Sequence, residues 1–229
     1  MERMSDDERA LSIRVADDIG EVPAVLRRPA GATATVVVAH GAGAGMGHPF
    51  ITGFCRALGD LGVASLRFDF PYRAAGRRFP DRPPVAIATW RSVMDAARAE
   101  AADGEPVWAS GKSFGGRMAS MAVAEGMDAA GLVFLGYPLH PPGRPEKSRD
   151  EHFPELAGVP MLVLQGRNDP FAVPNEQLDA LVATLAPSAV LDWIDGANHS
   201  FEVKGAKRPA AKIGAGLAPR VAEFIATRA

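Results

Sequence analysis

A serine set between two glycines is the feature that most constrains how this chain folds. Ser113 lies in residues 111–115 (GKSFG), which follow a predicted buried strand at residues 106–110 and precede a predicted helix at residues 115–125. At a tight turn from strand to helix, a serine side chain stands above the edge of the sheet, and glycines remove the Cβ atoms that would hold helix and strand apart. The pattern predicts a nucleophile elbow with Ser113 as the nucleophile.

The same residues contain a Gly-Lys-Ser sequence, so a phosphate-binding loop is the competing interpretation. Such a loop needs a glycine five residues before its Gly-Lys pair, and that position holds Pro106. Proline also lacks the N–H group that would contact a phosphate. The match is therefore half a motif, and the elbow is the better interpretation.

The rest of the sequence alternates β-branched apolar runs with longer helical patterns. It opens with two β-rich segments, residues 12–19 and 21–28, which meet at Gly20 and predict an antiparallel pair. Further strands are predicted at residues 33–39, 63–70, 131–135, 160–164 and 189–194, and further helices at residues 49–61, 85–102, 174–185 and 209–227. We expect an α/β fold, a three-layer α/β/α sandwich with a mostly parallel sheet, an antiparallel N-terminal edge and a minimal cap. The length of 229 residues fits a single domain.

A serine nucleophile needs a base within hydrogen-bond reach, and that base needs an acid that orients it. Asp169 follows the predicted strand at residues 160–164, and His199 follows the one at residues 189–194. Taken singly, Asp169 could be a turn carboxylate and His199 an exposed loop histidine. Their joint occurrence after strands, in the order serine, acid, histidine, favours a catalytic triad of Ser113, Asp169 and His199.

A glycine-rich loop after the predicted strand at residues 33–39 is the candidate oxyanion hole. Residues 40–45 (HGAGAG) let backbone N–H groups face a ligand, and we assign one donor to Ala42 and the other to Phe114, the residue after the nucleophile. A dinucleotide-binding loop is the alternative, but the glycine spacing does not give G-x-G-x-x-G and no helix follows directly. His40 precedes the nucleophile, so its expected role is to shape the loop.

Two connections are longer than a plain turn, residues 71–84 and residues 138–158. The second is predicted to contain one short helix, and His140 and Arg144 within it are unassigned candidates for substrate contact. The first carries four arginines, for which a solvated loop is favoured over an anion-binding rim. These arginines are Arg73, Arg77, Arg78 and Arg82.

Composition excludes several classes of function. With 25 basic and 27 acidic residues and a net charge of -2, we expect no nucleic-acid or membrane partner. Cys55 is the only cysteine, so it has no internal disulfide partner and no cysteine-built metal site, and we expect a buried, unreactive thiol. Residues 1–9 are charged and no long apolar run follows, which predicts neither a signal peptide nor a membrane span and favours a cytoplasmic location.

The His40-Gly41 turn, the elbow, Asp169 and His199 together resemble the α/β-hydrolase superfamily. More narrowly, the chain is similar to small bacterial hydrolases related to dienelactone hydrolase, a group whose eukaryotic relatives include testis-expressed protein 30. The stretches that carry this similarity are residues 40–49, 70–72, 111–118, 136–147 and 198–201.

The resemblance implies a serine hydrolase that cleaves small carboxylic ester or thioester substrates through an acyl-enzyme, with no cofactor and no metal. Two residues depart from the group. Ser113 stands where dienelactone hydrolases carry a cysteine, and Asn198 stands before His199 where many relatives carry an aspartate. The alternative function is a catalytically inactive protein-interaction module that keeps the fold, as the eukaryotic relatives suggest.

Overall fold

The computed structural model describes residues 7–228, and an eight-stranded sheet runs through them. The strands are β1 Glu8–Ala16, β2 Gly20–Arg27, β3 Thr35–Ala39, β4 Ala64–Phe68, β5 Val107–Lys112, β6 Leu132–Leu135, β7 Met161–Gly166 and β8 Ala189–Ile194. The helices are α1 Pro49–Asp60, α2 Pro71–Ala74, α3 Pro83–Glu100, α4 Phe114–Ala124, α5 Asn175–Ala183, α6 Ala210–Ala215 and α7 Ala218–Ala226.

The strand order in the sheet is β1-β2-β4-β3-β5-β6-β7-β8. β1 pairs with β2 and β2 with β4 in antiparallel fashion, whereas all the remaining pairs are parallel. The predicted α/β/α sandwich with an antiparallel N-terminal edge is therefore confirmed. Parallel strands end at a common edge, so the loops after β3, β5, β7 and β8 meet there.

The two helical layers bury separate apolar faces of the sheet. Trp90 of α3 and Met118 of α4 belong to the core on one face, and Trp108 of β5 packs with α1, α6 and α7 on the other. Because side chains alternate along a strand, Lys112 lies on the same face of β5 as Trp108. Lys112, the residue before Ser113, therefore points toward the layer formed by α1 and α6.

Several predicted element bounds are wrong in an instructive way. β1 begins at Glu8 rather than residue 12, since its first residues are polar but still pair with β2, and the Glu8 carboxylate accepts from Arg67 Nη1 at 2.8 Å. The predicted helix at residues 209–227 is two helices, because Pro219 opens α7 and has no N–H with which to continue α6.

The two long connections are partly helical. Residues 71–84 contain the short helix α2, which was not predicted from the sequence, and the start of α3. Residues 138–158 contain a 3-10 helix at Phe153–Leu156, which confirms the short helix expected there. Cys55 is fully buried in α1, and burial raises the pKa of its thiol to about 11, as expected of an unreactive cysteine.

Candidate active site

The turn between β5 and α4 has the geometry predicted for a nucleophile elbow. Ser113 adopts φ 51° and ψ -113°, a left-handed conformation that is strained for a residue with a side chain. A Cβ on Gly111 would lie 2.2 Å from the Gly116 nitrogen, and one on Gly115 would lie 2.6 Å from the His40 carbonyl oxygen. Both flanking glycines are therefore required for helix α4 to pack against the strands.

Ser113, His199 and Asp169 form one chain of hydrogen bonds. The His199 Nε2 and Ser113 Oγ atoms are 2.8 Å apart, and His199 Nδ1 lies 2.6 Å from Asp169 Oδ2. The carboxylate can only accept, so Nδ1 carries the ring proton and Nε2 accepts from the serine hydroxyl. The structure thus brings together the three residues that the sequence places after three separate strands.

Asp169 is fully buried, and other donors hold it in place. Gln165 Nε2 donates to Oδ2 at 2.7 Å, and the Phe171 amide donates to Oδ1 at 2.9 Å. Gln165 is anchored in turn, because its Oε1 accepts from the Tyr137 amide at 2.7 Å. Sequence reasoning missed Gln165, although a polar residue near the end of the apolar strand β7 (MLVLQG) is a signal that could have identified it.

Two backbone amides near Ser113 are free to bind an oxyanion. Phe114 is the first residue of α4, where helix N–H groups have no intrahelical acceptor, and Ala42 lies in the loop after β3. Within residues 7–228, neither amide donates a hydrogen bond to another protein group. Both predicted donors therefore remain available to a ligand.

His40 fastens the loop that carries Ala42. Its Nδ1 donates to the Gly41 carbonyl at 2.8 Å, and its Nε2 accepts from the Phe70 amide at 3.3 Å. Burial lowers the pKa of His40, which keeps the ring neutral as this bonding requires. Asp69 Oδ1 accepts from the Met46 amide at 2.6 Å at the other end of the loop. This arrangement agrees with the loop-shaping role expected for His40.

A pocket of about 420 Å³ opens beside Ser113. Small and apolar side chains form most of its wall, with His199 and Lys112 among the polar groups. The residues that line it are Gly41, Ala42, Ala44, His48, Phe50, Ile51, Lys112, Ser113, Phe171, His199, Ser200, Glu202, Ala210 and Ile213. Lys112 is a second residue whose place in the site sequence reasoning missed, because it was considered only as part of a phosphate-binding motif.

The other polar candidates from the sequence lie elsewhere. The four arginines at positions 73, 77, 78 and 82 are exposed and none lines the pocket, and Arg77 pairs with Asp81 at 2.6 Å. His140 is fully buried and bonds the Pro141 carbonyl at 2.9 Å, whereas Arg144 is exposed. A solvated loop therefore remains the simpler interpretation of the arginines.

No three His, Cys, Asp or Glu side chains between residues 7 and 228 are grouped so that they could hold a metal ion. No helix in that range has the length and apolar character needed to cross a bilayer.

Comparison with known proteins is consistent with this architecture. A family model described as an alpha/beta hydrolase domain matches residues 32–226. The chain is similar to an alpha-beta serine hydrolase homologue from Coxiella burnetii, with 20% identity, a TM-score of 0.69 and 100% of each chain covered. It is also similar to a dienelactone hydrolase from Anabaena variabilis, with 23% identity, a TM-score of 0.73 and coverage of 96% of this chain and 97% of that one.

A third similar structure is a serine hydrolase without a lid from Xanthomonas campestris, with 20% identity and a TM-score of 0.70. The match covers 98% of this chain and 96% of that one. At these identities the likeness shows a shared fold. The resemblance to the α/β-hydrolase superfamily is confirmed, and a dienelactone hydrolase is among the structures that share the fold.

Proposed function

This protein belongs to the alpha/beta hydrolase family, and on that basis we propose that it is a serine hydrolase that cleaves small carboxylic esters or thioesters through an acyl-enzyme. The observation that carries the proposal is the unbroken hydrogen-bond chain from Ser113 through His199 to Asp169, at 2.8 Å and 2.6 Å. A protein-interaction module would have no need of this series of hydrogen bonds. Fold alone would not distinguish the two functions.

Acylation begins when Ser113 Oγ attacks the carbonyl carbon of the substrate. His199 Nε2 takes the hydroxyl proton, and the buried Asp169 carboxylate stabilises the imidazolium that forms. The amides of Ala42 and Phe114 bind the oxyanion of the tetrahedral intermediate, and each such donor contributes about 3 kcal/mol. His199 then gives its proton to the departing alcohol or thiol as the bond from the acyl carbon to the leaving group breaks.

Deacylation repeats these steps with water as the nucleophile. His199 Nε2 removes a proton from water while the water oxygen attacks the acyl carbon, and the same amides bind the second oxyanion. The bond between the acyl carbon and Ser113 Oγ then breaks, and His199 returns the proton to Oγ. The product acid leaves and the site is restored, so every proton taken by His199 is also returned.

Labelling with a fluorophosphonate probe tests the proposal, since the probe reacts only with an activated serine. Wild-type protein should be labelled, and Ser113→Ala and His199→Ala should not. Ser92→Ala is the matched control, because Ser92 Oγ donates to the Val15 carbonyl oxygen and Ser92 does not line the pocket beside Ser113. Removal of the Ser92 hydroxyl should leave labelling intact. Hydrolysis of 4-nitrophenyl butyrate and of butyryl thiocholine, followed in parallel, separates ester from thioester preference.

Absence of labelling in folded wild-type protein would overturn the catalytic proposal. It would favour the interaction module instead. Labelling that survived Ser113→Ala would assign the reaction to a different residue.

A further inference from the structure

Lys112, the residue before the nucleophile, forms part of the pocket wall. It lies at the end of β5, and its side chain extends toward the neighbouring strand end at Gly136. A Cβ on Gly136 would be 3.2 Å from Lys112 Nζ, and the Phe201 ring centroid is 5.6 Å from that nitrogen. The ammonium group therefore lies beside Gly136 and the Phe201 ring, next to the loop that carries His199.

This ammonium group lies over the Phe201 ring as a cation–π partner but has no anionic partner within residues 7–228. Among the described residues, no carboxylate lies within 4.0 Å of Nζ, and no protein acceptor is hydrogen bonded to it. Burial lowers the pKa of Lys112 to about 8, so the group still carries its charge at pH 7, and the more distant Asp169 favours that charge. The Asp169 oxygens already accept from His199, Gln165 and the Phe171 amide. Burying an unpaired cation is unfavourable, so such a group is stabilised when an anion enters the site.

The rest of the pocket wall is suited to a short hydrocarbon chain. Phe50, Ile51, Phe171 and Ile213 supply apolar surface. Glu202 is exposed, and its carboxylate accepts from Asn198 Nδ2 at 3.3 Å. The pocket wall thus combines apolar side chains, a nucleophile, the exposed Glu202 carboxylate and a lysine that has no anionic partner in the described part of the chain.

We propose that the site selects acyl groups that carry a carboxylate, and that Lys112 binds this carboxylate while Ser113 attacks the ester carbon. This inference rests on the proposed hydrolase function and specifies its substrate class. Because Lys112 and Ser113 line the same pocket, we place the carboxylate and the reacting carbonyl on one bound acyl group. Esters of small dicarboxylic acids meet this requirement.

Two 4-nitrophenyl esters test the selection. One is the glutarate monoester, which is an anion at neutral pH, and the other is the valerate ester, in which a methyl group replaces the carboxylate. Their spontaneous hydrolysis is measured with Ser113→Ala and subtracted. We expect wild-type protein to have at least a tenfold higher kcat/KM for the glutarate ester, and we expect Lys112→Met to lower that ratio at least tenfold, mainly through KM.

Lys204→Met is the matched control, because Lys204 is exposed, lies outside this pocket and carries the same charge. Its ratio should stay within twofold of the wild-type ratio. A wild-type preference for the valerate ester would overturn the inference. So would an equal loss on both esters in Lys112→Met, which would mean that Lys112 supports Asp169 and His199 rather than the substrate. If Lys112→Met does not fold, Lys112→Gln takes its place.

A binding measurement keeps this inference separate from the proposed function. Free glutarate should slow fluorophosphonate labelling of wild-type protein more than valeramide does, and this difference should disappear in Lys112→Met. Labelling without protection by glutarate would overturn the substrate class and leave the hydrolase proposal standing. Absence of labelling in folded wild-type protein would overturn both.

Discussion

Two histidines follow parallel strands of the same sheet, and each has an aspartate nearby, yet their surroundings differ. His40 follows β3 and lies 3.5 Å from Asp69, whereas His199 follows β8 and lies 2.6 Å from Asp169. His40 is fully buried with both ring nitrogens bonded to backbone groups. His199 is 22% exposed, and its second nitrogen faces the Ser113 hydroxyl.

What each histidine can do depends on the partner of its second ring nitrogen. A ring that accepts a backbone N–H can hold a loop in place but cannot take a proton without losing that bond. A ring that accepts from a hydroxyl can exchange a proton with it during a reaction. Proximity to a carboxylate, which His40 and His199 share, does not distinguish them.

The largest expected effect comes from removing His199. His199→Ala should lower kcat for ester hydrolysis by about 10⁵-fold to 10⁶-fold, because the base and the acid of the mechanism are lost together. The melting temperature should change little, since the side chain is partly exposed and its partners Ser113 and Asp169 keep other contacts or solvent. Steady-state kinetics and thermal unfolding of the same preparation test both parts. A loss below tenfold would contradict the role of His199 as base.

Asp169→Asn should have the next largest effect. The amide that replaces the carboxylate can donate to His199 Nδ1 and so favour the wrong tautomer, which we expect to lower kcat by about 10⁴-fold. In the native site Gln165 Nε2 donates to Asp169 Oδ2. The substitution therefore places the new side-chain amide next to the Gln165 side-chain amide. Kinetics with a neutral ester measure the effect, and activity within tenfold of wild type would show that the acid is dispensable.

His40→Ala should cost less activity and more stability than His199→Ala. Its removal leaves the Gly41 carbonyl and the Phe70 amide without their partner, at about 1–3 kcal/mol for each buried group. The loop that carries Ala42 then keeps only its second anchor, the bond from the Met46 amide to Asp69, and we expect kcat to fall by about 10-fold to 100-fold. Urea unfolding and ester kinetics distinguish this pattern. A loss of kcat as large as that of His199→Ala would remove the contrast between the histidines.

The smallest expected effect concerns a third histidine, His152, and the pH dependence of the free energy of unfolding. His152 Nε2 bonds Ser120 Oγ at 2.7 Å, and burial lowers the pKa of His152 to about 4. The unfolded chain, with a histidine pKa of about 6.5, binds this proton first, so folding stability should decrease as the pH falls from about 6.5 to about 4. His152→Gln should reduce the difference in unfolding free energy between pH 7 and pH 5 by about 1 kcal/mol. An unchanged difference would mean that other groups account for acid sensitivity.

Local patterns predicted the parts of the site that depend on local geometry. Ser113 could be found because Gly111 and Gly115 mark a tight turn, and Asp169 and His199 because each lies in the loop after a strand. Gln165 and Lys112 could not be assigned in this way. Their roles depend on which groups approach from other strands, and the sequence of one strand does not contain that information.

The errors in the fold have a similar origin. The residues that join α6 to α7 continue an apolar pattern, which favoured one long helix, but Pro219 ends the series of backbone hydrogen bonds. The polar start of β1 was missed because pairing with β2, rather than burial, holds it in the sheet. Periodicity predicts which side chains are buried, and backbone pairing can extend an element beyond them.

Because β8 lies at the margin of the sheet, we expect the candidate site to be lost early in denaturation. β8 pairs only with β7, and the loop that carries His199 follows β8, while Ser113 follows the central strand β5. Strands at a margin open more readily than central ones. Mild urea should therefore separate base from nucleophile before the chain unfolds, so that hydrolysis disappears at a lower denaturant concentration than the fluorescence signal of the buried Trp90 and Trp108.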